Sequence, residues 1–408
     1  MTSPTTAAPT LPSRSAFTAA LAATALLVVG AAGALAATDR YLADRAARLA
    51  PLNVEWTWRG EAAQSAIFRQ SDVLPVYGSS ELVIPMGYRA QEVFAHYPTG
   101  FAIAPIGDQG FPPLSMALAL GSLGDDLRGK RLVLSLSGTW FVGDDTRNDS
   151  KTFRFHYSEL QLGDVLWSSD LPTELKRRLA RRVLGYLDLQ AVDPLVGTAL
   201  TCLAAECAVG PLLLALRPLW WLRRLPLRLN DRVHLLWALR ASSEPERRAE
   251  SIDFDGLAAR GDSAWRLKSA NNRMGIEDTA YQHWQADITK IGLTPKDGRF
   301  LRLSAKAPKW EELELLLATV RARGARAFVL ASPLKGAWWD TIGVSRAARD
   351  SLYARLQRSA TASGTVMRGF HEFDADPFFL SEPRSHPSPK GWAEYDRVLN
   401  AFFHDSIR

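Results

Sequence analysis

Two short stretches carry residue types suited to acyl chemistry. The first is Gly78-Ser79-Ser80-Glu81, directly after the apolar run Asp72-Val73-Leu74-Pro75-Val76-Tyr77. A serine at the tip of a strand becomes a nucleophile when a base takes its proton and a third group orients that base. The same four residues also fit an ordinary turn. The second stretch is residues 381–388, where His386 stands in a Pro- and Ser-rich loop ahead of the helical residues 391–403. A histidine in that setting is presented rather than packed, and proton transfer is one role open to it. A plain surface histidine is the competing reading.

The surrounding pattern names the elements that must position them. Residues 72–77 read as a buried strand ending at Gly78, and residues 131–136 and 327–332 as two more. Residues 112–128 read as a helix with Pro at its start, and residues 310–324 as an amphipathic helix stopped by Gly324. Strand–helix–strand alternation with continuously apolar strands predicts a parallel sheet covered on both faces. Residues 39–70 read as a stalk and lead-in helix, and no internal repeat is present.

Of the 408 residues, 47% are apolar and 23% charged, which excludes disorder as the main state. The net charge of +6 is not gathered into a recognisable nucleic-acid module, so no nucleic acid is expected as a partner. Ser15–Thr38 contains no charge and exceeds the ~20 residues a bilayer core requires. The expected layout is a cytoplasmic tail over 1–14, a transmembrane anchor over 15–38, and the main domain over 71–408 outside the cell. A cleaved signal peptide competes, because Ala34-Leu35-Ala36 resembles a cleavage site.

An insertion is expected at about 190–260. Its apolar, then aromatic, then basic stretch 194–229 has three readings. A second spanning helix is opposed by Glu206 and Pro211. A core helix pair is the second. The favoured third lies in the membrane interface, with Trp220 and Trp221 at headgroup level and Arg217, Arg223, Arg224 and Arg228 toward phosphates. Cys202 and Cys207, five apart on a helix, read as two free buried thiols.

An early strand-tip serine and a histidine before the last helix resemble the layout of SGNH-type hydrolases. Several stretches, in order over about 75–399, are similar to the D-alanyl-transfer protein family, DltD. They are PVYGSSEL (75–82), GDQGFPPLSMALALGSLGDDLRGKRLVLSLSGTWF (107–141), ANNRMGIEDTAY (270–281), FVLASPLKGAWWD (328–340) and SHPSPKGWAEYD (385–396). The resemblance implies an SGNH/flavodoxin-like α/β fold of three layers, a parallel sheet between helices. It makes Ser80 the nucleophile, with Ser79 in the middle position, and His386 the base. Pro383 occupies the place of the family's aspartate, so Glu382 becomes the acid, with Asp376 in reserve. Backbone N–H groups of Ser80 and Gly110 would form the oxyanion hole, near Thr139, which replaces an expected amide; Gln109 replaces an expected glycine.

The implied function is D-alanyl ester transfer onto a teichoic-acid-type envelope polymer through a Ser80 acyl-enzyme, with no metal or cofactor. Implied partners are an MBOAT-class membrane acyltransferase (DltB-like), indirectly a D-alanyl carrier protein, the anionic polymer and the membrane. An esterase or O-acyltransferase acting on another extracytoplasmic polysaccharide, and a non-catalytic scaffold, are the alternatives.

Overall fold

Strands that are apolar on both faces must be covered on both faces, and the computed structural model answers that requirement with a five-stranded parallel sheet. It describes residues 14–143, 146–188, 192–207, 209–242, 251–291, 295–384 and 386–407. The strands are β1 (Val73–Tyr77), β2 (Ala102–Ile106), β3 (Arg131–Leu136), β4 (Arg326–Ala331) and β5 (Val366–Gly369). Their order is β2-β1-β3-β4-β5, all parallel, the flavodoxin-like doubly wound arrangement. Its switch point lies between β1 and β3, where an open sheet of this kind leaves a crevice beyond the strands' carboxyl ends.

The helices used below are α1 (Arg14–Ala43), α2 (Ala62–Arg69), α3 (Ser80–Val83), α4 (Pro113–Ser122), α5 (Glu159–Trp167), α6 (Pro194–Ala204), α7 (Val209–Ala241), α8 (Asp278–Ile291), α9 (Lys309–Ala322) and α10 (Pro389–Phe403). Alternation along the strands divides the core. Leu132, Leu134 and Leu136 pack with α4 and α9, while Val133, Phe328 and Leu330 pack with Trp392, Leu399 and Phe402 of α10.

β2 and β5 were not expected from the sequence. Pro105 interrupts β2, which is tolerated because β2 is an edge strand. β5 has four residues, none of them fully buried. Pro75 sits in β1 one residue before its pairing with β3 begins at Val76, so no ladder bond to β3 is lost there. The helix expected over 112–128 stops at Ser122, and Gly124, at φ +57°, opens a 3-10 turn.

The segment after α1 folds as short helices over Ala46–Leu49, Glu55–Arg59 and α2, each with buried residues. α1 itself is long and apolar enough to cross a membrane, and Phe17, Leu21 and Leu26 are exposed along it. The tail expected over 1–14 lies outside the described residues except for Arg14.

Two expectations for the insertion are corrected. Trp220 does not sit at headgroup level: it is buried, stacked on Trp167 at 5.2 Å, and donates to Asp164 (3.1 Å). Three of the arginines assigned to phosphates meet protein carboxylates: Arg223 binds Glu159 (2.8 Å), Arg224 binds Asp164, and Arg228 binds Glu61. Nor are the cysteines free. α6 ends at Ala204 and Glu206 takes a left-handed φ of +57°, so the chain turns back and Cys207 forms a disulfide with Cys202, their Cα atoms 5.3 Å apart. On one continuous helix, positions five apart would keep the two thiols apart, but the turn after α6 breaks that helix. Cys207 is also exposed.

Candidate active site

β1 delivers its chain to the carboxyl edge of the sheet and stops at Gly78, whose N–H donates to Ile106 O (3.1 Å) on β2's end. Ser80 then starts α3. The turn needs glycine at a facing position: Gly107 has φ +142°, and a Cβ there would lie 2.0 Å from Gly78 O. Beneath the turn, Glu81 is buried and its Oε1 accepts from the Ser79 N–H (3.0 Å), fixing the loop from inside.

The second half of the site hangs from the end of the chain. Leu380 and Pro387 form an antiparallel bridge, and the Ser381 N–H donates to His386 O (2.8 Å). Ser388 then caps α10, accepting from the Gly391 N–H (3.2 Å) and donating to Phe378 O (2.6 Å). This narrow loop puts Glu382 and His386 on one side of a turn. His386 is 5% exposed.

The structure brings Ser80, His386 and Glu382 together. Ser80 Oγ lies 2.6 Å from His386 Nε2, across 306 positions of sequence. On the other side of the ring, His386 Nδ1 contacts Glu382 Oε1. In the tautomer this permits, Nδ1–H donates to the carboxylate and Nε2 accepts the Ser80 hydroxyl. Hydroxyl, imidazole and carboxylate in that order can generate an alkoxide-like nucleophile and return the proton to a leaving group.

The other candidates are placed differently. Asp376 is engaged elsewhere, accepting from Lys390 Nζ (2.7 Å) and the Phe378 N–H (2.8 Å). Ser79 is buried and its Oγ accepts from the Gly110 N–H (2.9 Å), so the donor expected at the oxyanion meets the neighbouring serine. Gly110 itself has φ +77°, the left-handed region open to glycine. Thr139 lies in the turn after β3, its hydroxyl bonded to that of Ser137 (2.8 Å).

Sequence reasoning gave no role to Lys335. It follows β4, is 1% exposed, and donates to three carbonyls: Gly275 (3.4 Å), Pro377 (2.7 Å) and Leu380. Two of those belong to the loop that carries Glu382. Burial lowers its pKa to about 7, against the pull of Asp376 and Glu382. Gly275, at φ +60°, packs onto the same loop, since a Cβ there would lie 2.0 Å from Pro377 O. A lysine in an apolar stretch gives no sign of this, because its three acceptors are distant backbone oxygens.

The family model for DltD protein matches residues 54–404. Protein DltD of Bacillus subtilis (strain 168) is 23% identical over 370 residues, 90% of this chain and 90% of its own. Protein DltD of Staphylococcus aureus (strain NCTC 8325 / PS 47) is 23% identical over 349 residues, 84% of this chain and 83% of its own. With the matched region running from the helix Glu55–Arg59 to the end of α10, the chain belongs to the DltD family.

Proposed function

We propose that this protein is a membrane-anchored acyltransferase that moves a D-alanyl group onto a hydroxyl of an anionic, teichoic-acid-type envelope polymer. The observation that carries the chemistry is the contact of Ser80 Oγ with His386 Nε2 at 2.6 Å, with Glu382 behind the ring. Ser80 Oγ attacks the acyl carbonyl of the donor while His386 Nε2 takes the hydroxyl proton. The tetrahedral intermediate collapses, the donor leaves with that proton, and an ester remains on Ser80. His386 then takes the proton of the acceptor hydroxyl, the acceptor oxygen attacks the ester, and Ser80 leaves reprotonated. Glu382 holds the imidazole tautomer and offsets its charge in both steps. Backbone N–H groups of Ser80 and Gly110 would meet the oxyanion, a donation worth roughly 3–4 kcal/mol each; for Gly110 this requires release of Ser79 Oγ.

Family membership supports D-alanine as the group. By the family's pattern, the donor comes from an MBOAT-class membrane acyltransferase fed by a D-alanyl carrier protein, and α1 holds the site near the bilayer with residues 40–408 outside. The test is to supply the full chain in vesicles with a D-alanyl donor and search by mass spectrometry for alanyl ester on the peptide containing Ser80. The ester should appear in the absence of acceptor and disappear when a polymer with free hydroxyls is added. Transfer without ester at Ser80 would sink the acyl-enzyme, and loss of the ester equally fast to water would favour an esterase.

A further inference from the structure

α7 is an amphipathic helix turned inside out. Four of its arginines meet carboxylates of the protein: Arg223 toward Glu159, Arg224 toward Asp164 and Glu61, Arg228 toward Glu61, and Arg232 toward Asp39 (2.8 Å). Asp231 is fully buried and accepts from the Glu61 and Ala62 N–H groups, both at 3.0 Å. The opposite face is open and mostly apolar, with Asn230 and Arg240 exposed beside the apolar residues. Leu214, Pro218, Leu222, Val233 and Trp237 recur at helical spacing along it, and Leu222 and Trp237 are 63% and 65% exposed. A water-facing helix surface is normally polar, so an apolar stripe on that side marks a contact with something apolar.

What covers it is indicated by its neighbour. Asp39 is the first charge after the uncharged run of α1 and therefore marks where that helix leaves the hydrocarbon. Arg232 is bonded to Asp39, and Leu42 packs with Leu235 and Leu239. Val233 is thus tied within one residue to the level of the bilayer boundary. Arg240 lies over the Trp237 ring at 5.9 Å, an aromatic–cation pair suited to a headgroup layer, and Arg217 is another exposed cation of the helix.

We infer that the outward face of α7 lies in the lipid bilayer surface beside α1, so that the domain is held by two contacts rather than one. A single helix leaves a domain free to swing. A second contact along a 33-residue helix fixes its orientation on the membrane. The inference rests on α1 being the membrane anchor.

Nitroxide labels test it on the full chain in phosphatidylcholine–phosphatidylglycerol vesicles. Single cysteines are introduced as Leu222→Cys, Val233→Cys, Leu26→Cys in α1, and Arg302→Cys at an exposed position outside α1 and α7; the native cysteines are already paired. Labels at 222 and 233 should be relaxed by dissolved oxygen severalfold more, relative to a water-soluble nickel chelate, than the label at 302. Values at 222 and 233 equal to those at 302 would overturn the inference. So would spin–spin broadening at 222 and 233, which would assign the face to a second copy. The label at 26 reads the anchor separately. Lipid exposure at 26 with water at 222 and 233 removes this inference alone, and water at all three removes the anchor as well.

Discussion

Ser80 Oγ has its hydrogen-bond partner 2.6 Å away at His386 Nε2, and the imidazole is held from behind by Glu382, so a proton leaving the hydroxyl has one short path. Ser80→Ala should therefore lower transfer about 10⁶-fold, and His386→Ala nearly as much, because such groups act as a unit. Glu382→Gln should cost about 10⁴-fold, since an amide favours the wrong tautomer. Asp376→Asn should leave turnover near its starting value, because that carboxylate serves Lys390. A silent Glu382→Gln with an inactive Asp376→Asn, in the same transfer assay, would reverse the assignment of the acid. Lys335 acts one step back, as a positioning residue. Lys335→Met leaves the Pro377 and Leu380 carbonyls without their donor and loosens the loop that holds Glu382. A misplacement of about 1 Å can cost up to ~100-fold in rate. The variant should show that loss in kcat. It should also change the pH dependence of stability. The folded protein holds Lys335 near pKa 7 while the unfolded chain returns to the usual lysine value, so folding releases a proton between those limits. That contribution makes wild-type stability rise with pH from about 7 to about 10, and Lys335→Met should flatten the rise in chemical denaturation at pH 7, 8.5 and 10.

At the scale of elements, the joint between α2 and α7 concentrates charge where little water reaches. Asp231 caps α2 from α7 through the Glu61 and Ala62 N–H groups, and burial raises its pKa to about 7. Glu61 goes the other way: it too is buried, but Arg228, Arg224 and Arg232 together hold its carboxyl below the usual range. For Asp231 the folded state keeps a proton that the unfolded chain releases near pH 4. Stability from this group is therefore present at low pH and lost as pH rises from about 4 to about 7. One pKa unit corresponds to about 1.4 kcal/mol. Asp231→Asn keeps an acceptor for both N–H groups and removes the titration, so thermal melts at pH 5, 6, 7 and 8 should fall less steeply with pH than wild type. An unchanged slope would show that Asp231 does not titrate in that window. This joint also shows where sequence reading reaches its limit. β1, β3, β4, the turn at Ser80 and the loop at His386 were legible because continuous apolar runs and Gly or Pro punctuation are local signals. The direction in which Arg223, Arg224 and Arg228 point was not. Their partners Glu159, Asp164 and Glu61 lie 60 to 167 positions away, and an aromatic–basic stretch looks the same whether its cations face lipid or carboxylate. The Cys202–Cys207 disulfide was hidden for a different reason: it depends on one left-handed residue, Glu206.

The whole molecule is a sheet domain joined to a long apolar helix through packed side chains rather than a free tether. Leu42 at the base of α1 is fully buried with Leu235 and Leu239 of α7 and with Ala62, Ala63 and Ala66 of α2. Asp39 adds its ion pair to Arg232. The domain therefore starts where α1's uncharged run ends, and Ser80 and His386 are carried within that domain by the turn after β1 and the loop before α10. If α1 is retained as the anchor, the protein should stay in the membrane fraction after an alkaline wash. Protease added outside should digest residues 40–408 in intact cells, while a tag placed ahead of residue 14 should be protected. A mature chain beginning near Ala37 would mean that α1 is cleaved as a signal. It would also leave Leu42 and Asp39 at a free amino terminus, so the packing against α7 can be checked independently. Leu42→Ala removes a fully buried side chain and should cost about 2–5 kcal/mol where the contact persists. Applied to the full chain in detergent micelles, it should lower the melting temperature of the sheet domain as well as that of the anchor region, because the two share one cluster. A melt of the domain unchanged by Leu42→Ala would show instead that α1 is only loosely attached and that the sheet domain moves freely relative to it.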